Sequence, residues 1–109
     1  MTHIARLIGS IAIIGTLIAG APARAQDANA GLIVARQLCS ECHAVERVQP
    51  RSPNPASPPF ETIANVPGMT GMALSAALQS PHRSMPNVML DTDQLRSIVA
   101  YVLSLRQTN

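Results

Sequence analysis

Hydrophobic and polar positions divide the chain into distinct stretches. Leu7 to Ala21 is apolar and carries no charge. In Asp27 to Ser40, Leu32, Ala35, Leu38 and Cys39 fall at helical spacing on one side, which predicts a helix. Asp27 or Asn29 is expected to cap it. Glu46 to Pro59 has no period and contains Pro50, Pro53, Pro55, Pro58 and Pro59. Each lacks a backbone donor and pushes the preceding residue away from helix, so this segment reads as loop. Thr70 to Ser80 reads as a short helix capped by Thr70 and stopped by Pro81.

The last helix is the clearest. Asp91 and Gln94 stand at capping-box spacing. Leu95, Ile98, Val99, Val102 and Leu103 then recur at i, i+3, i+4, i+7 and i+8. Arg106 is expected in the final turn, against the negative end of the helix dipole. No strand-like alternation, internal repeat or Gly-rich phosphate loop is visible. The predicted fold class is all-α.

The N-terminal stretch reads as an address. Arg6 precedes the apolar run, and Ala23-Arg24-Ala25 fits a small-x-small cleavage pattern. The run is shorter than the roughly 20 residues of a spanning helix. The expected organisation is a signal peptide over 1–25, cleaved after Ala25, and one exported domain over 26–109; an uncleaved anchor is the alternative. This implies a periplasmic protein with no stable membrane insertion after cleavage.

Charge narrows the function. The eight basic residues are all Arg, and there are six acids. Arg6 and Arg24 lie in the expected leader, so the remainder is balanced, unlike the basic surface of a nucleic-acid binder. Phe60 and Tyr101 are the only aromatics, and there is no Trp. A domain this short, without the rings that usually fill small cores, is marginal unless something else supplies apolar bulk.

Cys39-Ser40-Glu41-Cys42-His43 offers a source for it. Cys-x-x-Cys-His is a haem-attachment pattern. Each thiol adds to a porphyrin vinyl group, and one helical turn brings both sulfurs to neighbouring ring edges. The adjoining imidazole of His43 then ligates the iron. Three other readings compete. A redox dithiol of the thioredoxin type needs a βαβ setting, for which there is no pattern. A disulfide across two residues closes a loop too short to stabilise much. Zinc needs a fourth ligand, for which only His82 remains.

For the second axial position of the iron, Met85 stands out from Met69, Met72 and Met89. It lies in a polar segment between Pro81 and Pro86, suited to holding a thioether over the ring. Met69 and Met72 read as core fillers, and Met89 is expected near the wall of the pocket. His82 is the rival ligand.

These residues resemble the small class I c-type cytochromes of bacterial periplasms. The resemblance spans nearly all of Asp27 to Arg106. It rests on Gly31, the attachment site Cys39 to His43, Met85-Pro86, and Ala100-Tyr101-Val102-Leu103-Ser104-Leu105, in that order. Two features depart from the family: Ala35 stands where an aromatic is common, and Val45 to Pro59 lacks glycine. The resemblance implies a cytochrome c-like fold, with the first and last helices crossing at Gly31 and Tyr101 and loops wrapped round one haem c. It further implies that a Pro carbonyl, matched by Pro58, accepts from His43 Nδ1–H, and that Phe60 covers the ring.

The expected function is single-electron transfer by a monomer with no catalytic residues, meeting redox partner proteins transiently. A haem enzyme or gas sensor with a labile sixth ligand is the alternative. A haem-free, disulfide-bonded interaction module is a third possibility.

Overall fold

The computed structural model describes residues 23–81 and 84–108, with side chains from Asp27 onward. Nearly all of the expected leader lies outside the described residues, as do His82 and Arg83. The described chain is helical and has no strand. It forms α1 (Ala23–Leu38), α2 (Phe60–Ala64), α3 (Gly71–Gln79) and α4 (Thr92–Ser104). No described helix is long and apolar enough to cross a membrane.

The α1 helix begins earlier than its pattern predicts. Asp27 and Asn29 lie inside it and cap nothing, because Ala23 to Gln26 are good helix formers with no breaker among them. Thr70 does cap α3, its hydroxyl accepting from Ala73 N at 3.1 Å. At α4 both halves of the capping box are made. Asp91 Oδ1 accepts from Gln94 N at 2.8 Å, and Gln94 Oε1 accepts from Asp91 N at 3.0 Å. The short α2 has no counterpart in the sequence reading.

The helix contacts converge on α4, which packs chiefly on α1 and also touches α2 and α3. Ile98 and Val102 of α4 and Leu105 just past its end are the largest fully buried side chains, joined in the core by Ala35, Phe60, Ala64 and Leu74. Each large apolar side chain so buried is worth about 1.5–3 kcal/mol. The buried stripe of α4 is wider than its apolar pattern. Ser97 and Tyr101 are also buried, and they face Gly31 of α1. A Cβ at Gly31 would collide with the Ser97 carbonyl and lie 2.6 Å from Tyr101 Cβ, so the two backbones meet because Gly31 has no side chain. Tyr101 then donates its hydroxyl to the Val45 carbonyl at 2.5 Å, tying α4 to the loop after α1.

Three expectations are corrected here. Met72 is 84% exposed and fills no core, because α3 buries its other side through Leu74. Met89 is 85% exposed and is not part of the wall of the cavity that Met85 lines. The chain between Pro86 and Leu90 forms no helix or strand; Val88 points inward there, and its neighbour Met89 points out. Arg106 lies beyond α4, which ends at Ser104, and its guanidinium reaches across to carbonyls of Ala64 and Met69.

Candidate functional site

Past Leu38 the chain makes one further turn that carries the motif. Cys39 N donates to Ala35 O and His43 N to Cys39 O, both at 2.9 Å. Cys42 N also reaches Cys39 O, at 3.2 Å. The following loop holds this turn from outside. Asn54 N donates to Cys42 O at 3.1 Å, Ala44 N to Ser52 Oγ at 2.9 Å, and Phe60 N to Ala44 O at 2.9 Å. A surface ion pair braces the same junction, with Arg36 Nε 2.5 Å from Glu46 Oε1. Hydrogen bonding to Arg36 holds the Glu46 carboxyl below its ordinary range.

His43 Nδ1 lies 2.7 Å from the Pro58 carbonyl. A carbonyl only accepts, so the proton sits on Nδ1, and the Nε2 lone pair is free to bind a metal. The Phe60 ring stands against the imidazole, with centroids 5.4 Å apart and planes tilted by 50°. Pro59 precedes Phe60 at the start of α2. The Pro-rich loop thus delivers both the carbonyl and the ring to one imidazole.

Cys39, Cys42 and His43 line a cavity of about 440 Å³ together with Pro58, Phe60 and Met85. That volume lies within the range of small-molecule and cofactor sites. Much of the remaining wall is aliphatic: Leu38, Ile63, Leu74, Leu78, Ile98 and Val102. All six residues singled out from the sequence therefore share one space. His82 lies outside the described residues and is not placed. Leu38, Ile63 and Val88 were not anticipated as wall residues. Leu38 adjoins Cys39 on the predicted inner face of α1, a signal that was available; nothing local marks the other two. Met69, weighed behind Met85 as a ligand and read as a core filler, packs against the core and also lines the cavity, adding a second thioether to it.

Cys39 and Cys42 are unbridged. Burial pushes the Cys39 thiol above its ordinary pKa, so it stays protonated at neutral pH. A thiolate nucleophile needs the opposite shift, which weighs against Cys39 as the attacking thiol of a redox pair. Among the described residues no group of three or more His, Cys, Asp or Glu side chains is placed to hold a metal ion. The site is instead one imidazole, two thiols and two thioethers on a largely apolar wall that also carries Glu41, Ser57 and Ser84. No family model, curated protein or solved structure matches the chain.

Proposed function

We propose that this chain is an exported one-haem electron carrier of the c-type cytochrome kind, with a cytochrome c-like fold around the cofactor. The observation that carries this reading is the bond from His43 Nδ1 to Pro58 O. It fixes the ring and its tautomer beside two thiols, within a cavity whose wall is largely aliphatic. Such a wall suits a flat apolar macrocycle, and a hydrogen-bonded imidazole is a stronger, better-oriented iron ligand.

When bound, haem supplies one-electron chemistry at its iron. The chain's own residues do the rest. Cys39 and Cys42 would hold the porphyrin covalently through their two sulfurs. His43, through Nε2, and Met85, through its thioether, would hold the iron. Pro58 O holds the imidazole against rotation, and Phe60 limits its tilt. The aliphatic wall excludes water and keeps the low-polarity setting that favours a fixed coordination sphere. With His43 and Met85 both taken as ligands, neither side of the iron is left for a substrate, and the protein is read as a carrier. Partners are redox proteins that dock briefly, as small redox interfaces do. The balanced charge beyond Ala25 gives little long-range steering.

The test is the mass of the purified, exported chain together with its oxidised and reduced absorption spectra. One haem added covalently, and a ferric thioether–iron charge-transfer band lost in Met85→Ala, are the expected results. A mass equal to that of the polypeptide alone overturns the proposal. A high-spin ferric spectrum that shifts with carbon monoxide or peroxide after reduction or addition would instead assign the site to a sensor or haem enzyme.

A further inference from the structure

Two residues past the end of α4, Arg106 bridges parts of the chain that its own helix does not otherwise hold. Its Nε donates to Ala64 O at 3.2 Å, and its Nη2 donates to Met69 O. Gln107 adds a bond from its backbone N to Asn65 Oδ1 at 3.0 Å. Leu105, 1% exposed, pins this tail to the core.

The bridged segment runs from 64 to 69, between α2 and α3. It contains Pro67 and Gly68, the latter at φ +75°. Its other hydrogen bonds are local: Asn65 N and Nδ2 to Glu61 O, Val66 N to Ile63 O, and Met69 N to Val66 O. Among the described residues, every hydrogen bond from this connection to a sequence-distant group is made by Arg106 or Gln107. At its ends stand Ile63 and Met69, both of which line the cavity.

We propose that Arg106 is a positioning residue for the cavity, its guanidinium fixing the α2–α3 connection so that Ile63 and Met69 keep their places in the wall. This rests on the reading of the cavity as a haem pocket. The planar guanidinium presents two donors in a fixed fork, one for each carbonyl, whereas a lysine ammonium acts as a point charge on a flexible stem. Without the fork, a connection containing Pro67 and Gly68 keeps its packing on the core, but its only remaining hydrogen bond to a sequence-distant group is the one from Gln107. The wall then loosens and admits water, and the potential of a bound iron follows solvent access.

The experiment uses the full chain, exported and matured with haem, and the variants Arg106→Gln, Arg106→Lys and Arg47→Gln. Arg47 is the control. Its Nη2 donates to Ser104 O at 2.5 Å, so it also ties the end of α4 to a loop, but neither Arg47 nor Ser104 lines the cavity. Arg106→Gln is expected to lower the midpoint potential and to speed amide exchange at Val66 and Met69 at least tenfold. Arg106→Lys is expected to give a smaller change of the same sign, and it carries the test if the glutamine variant fails to fold. Arg47→Gln is expected to leave the potential and those two amides unchanged. If the Arg106 variants lose stability as Arg47→Gln does, with the potential and both amides unmoved, the proposal is wrong. If the wild-type chain carries no haem, the reading of the cavity fails. Exchange at Val66 and Met69 in the haem-free chain then still decides whether Arg106 holds the connection.

Discussion

At the scale of single residues, Tyr101 carries more than its size suggests. It is 7% exposed, it faces Gly31, and its hydroxyl donates to Val45 O. Burial pushes its pKa above the ordinary value, helped by the charge of Glu46 and opposed by Arg36 and Arg47. The unfolded chain therefore releases this proton first, near the ordinary tyrosine value of about 10. The stability linked to the neutral phenol is complete below that pH and is lost as pH rises through the higher folded value. Tyr101→Phe is expected to cost about 1–3 kcal/mol at pH 7, since the Val45 carbonyl loses its donor. It is also expected to remove part of the alkaline loss. Denaturant midpoints of the two proteins from pH 7 to pH 11 check both effects. A parallel pair of curves would show that Tyr101 does not titrate in the unfolding step. Gly31 is the other half of this contact. Gly31→Ala is expected to cost about 1–3 kcal/mol or more, because its Cβ meets the α4 backbone rather than a flexible side-chain end. An unchanged melting curve would mean that the helices separate freely.

At the scale of elements, the parts that were legible are those whose signals are local. Asp91 and Gln94 announce the start of α4 through residues only three apart, and both bonds are present. Asp91→Ala is expected to cost about 1 kcal/mol and to fray the first turn, visible as faster amide exchange at Gln94. Thr70 was legible for the same reason. The misreadings have physical causes of another kind. Asp27 has the chemistry of a cap, but a cap works only where the helix stops, and nothing in Ala23 to Gln26 stops it. The α2 helix is only five residues long, and its burial through Phe60 and Ala64 depends on partners far along the chain. Arg106 looks like a partner for its own helix dipole, yet its two acceptors lie more than 35 residues earlier. At the site, the Cys39-to-His43 motif was readable as a unit from five consecutive residues. Leu74, Ile98 and Val102 were readable only as apolar positions, since helical periodicity does not tell a core face from a cavity wall.

At the scale of the whole molecule, core and cavity are not separate. Phe60, Leu74, Ile98 and Val102 belong to both. The wall of the pocket is thus also part of the core, so whatever apolar group fills the pocket completes the core's packing. Under the proposed function, the chain reaches its full stability only with the cofactor fused in place. Cys39→Ala/Cys42→Ala, expressed without haem, is therefore expected to lack a cooperative thermal transition. A sharp calorimetric peak in that variant would show that the polypeptide alone makes a sufficient core.

One further consequence comes from the scarcity of rings. With a single Tyr and no Trp, the chain owns one useful natural fluorophore, and it sits where α1 and α4 cross. Emission excited in the near ultraviolet thus reports one docking event instead of an average over many sites. A tetrapyrrole held in the adjoining pocket would drain that excitation by energy transfer, leaving the folded protein almost dark. Brightening on dilution into denaturant would then time the parting of the two helices, with no label attached.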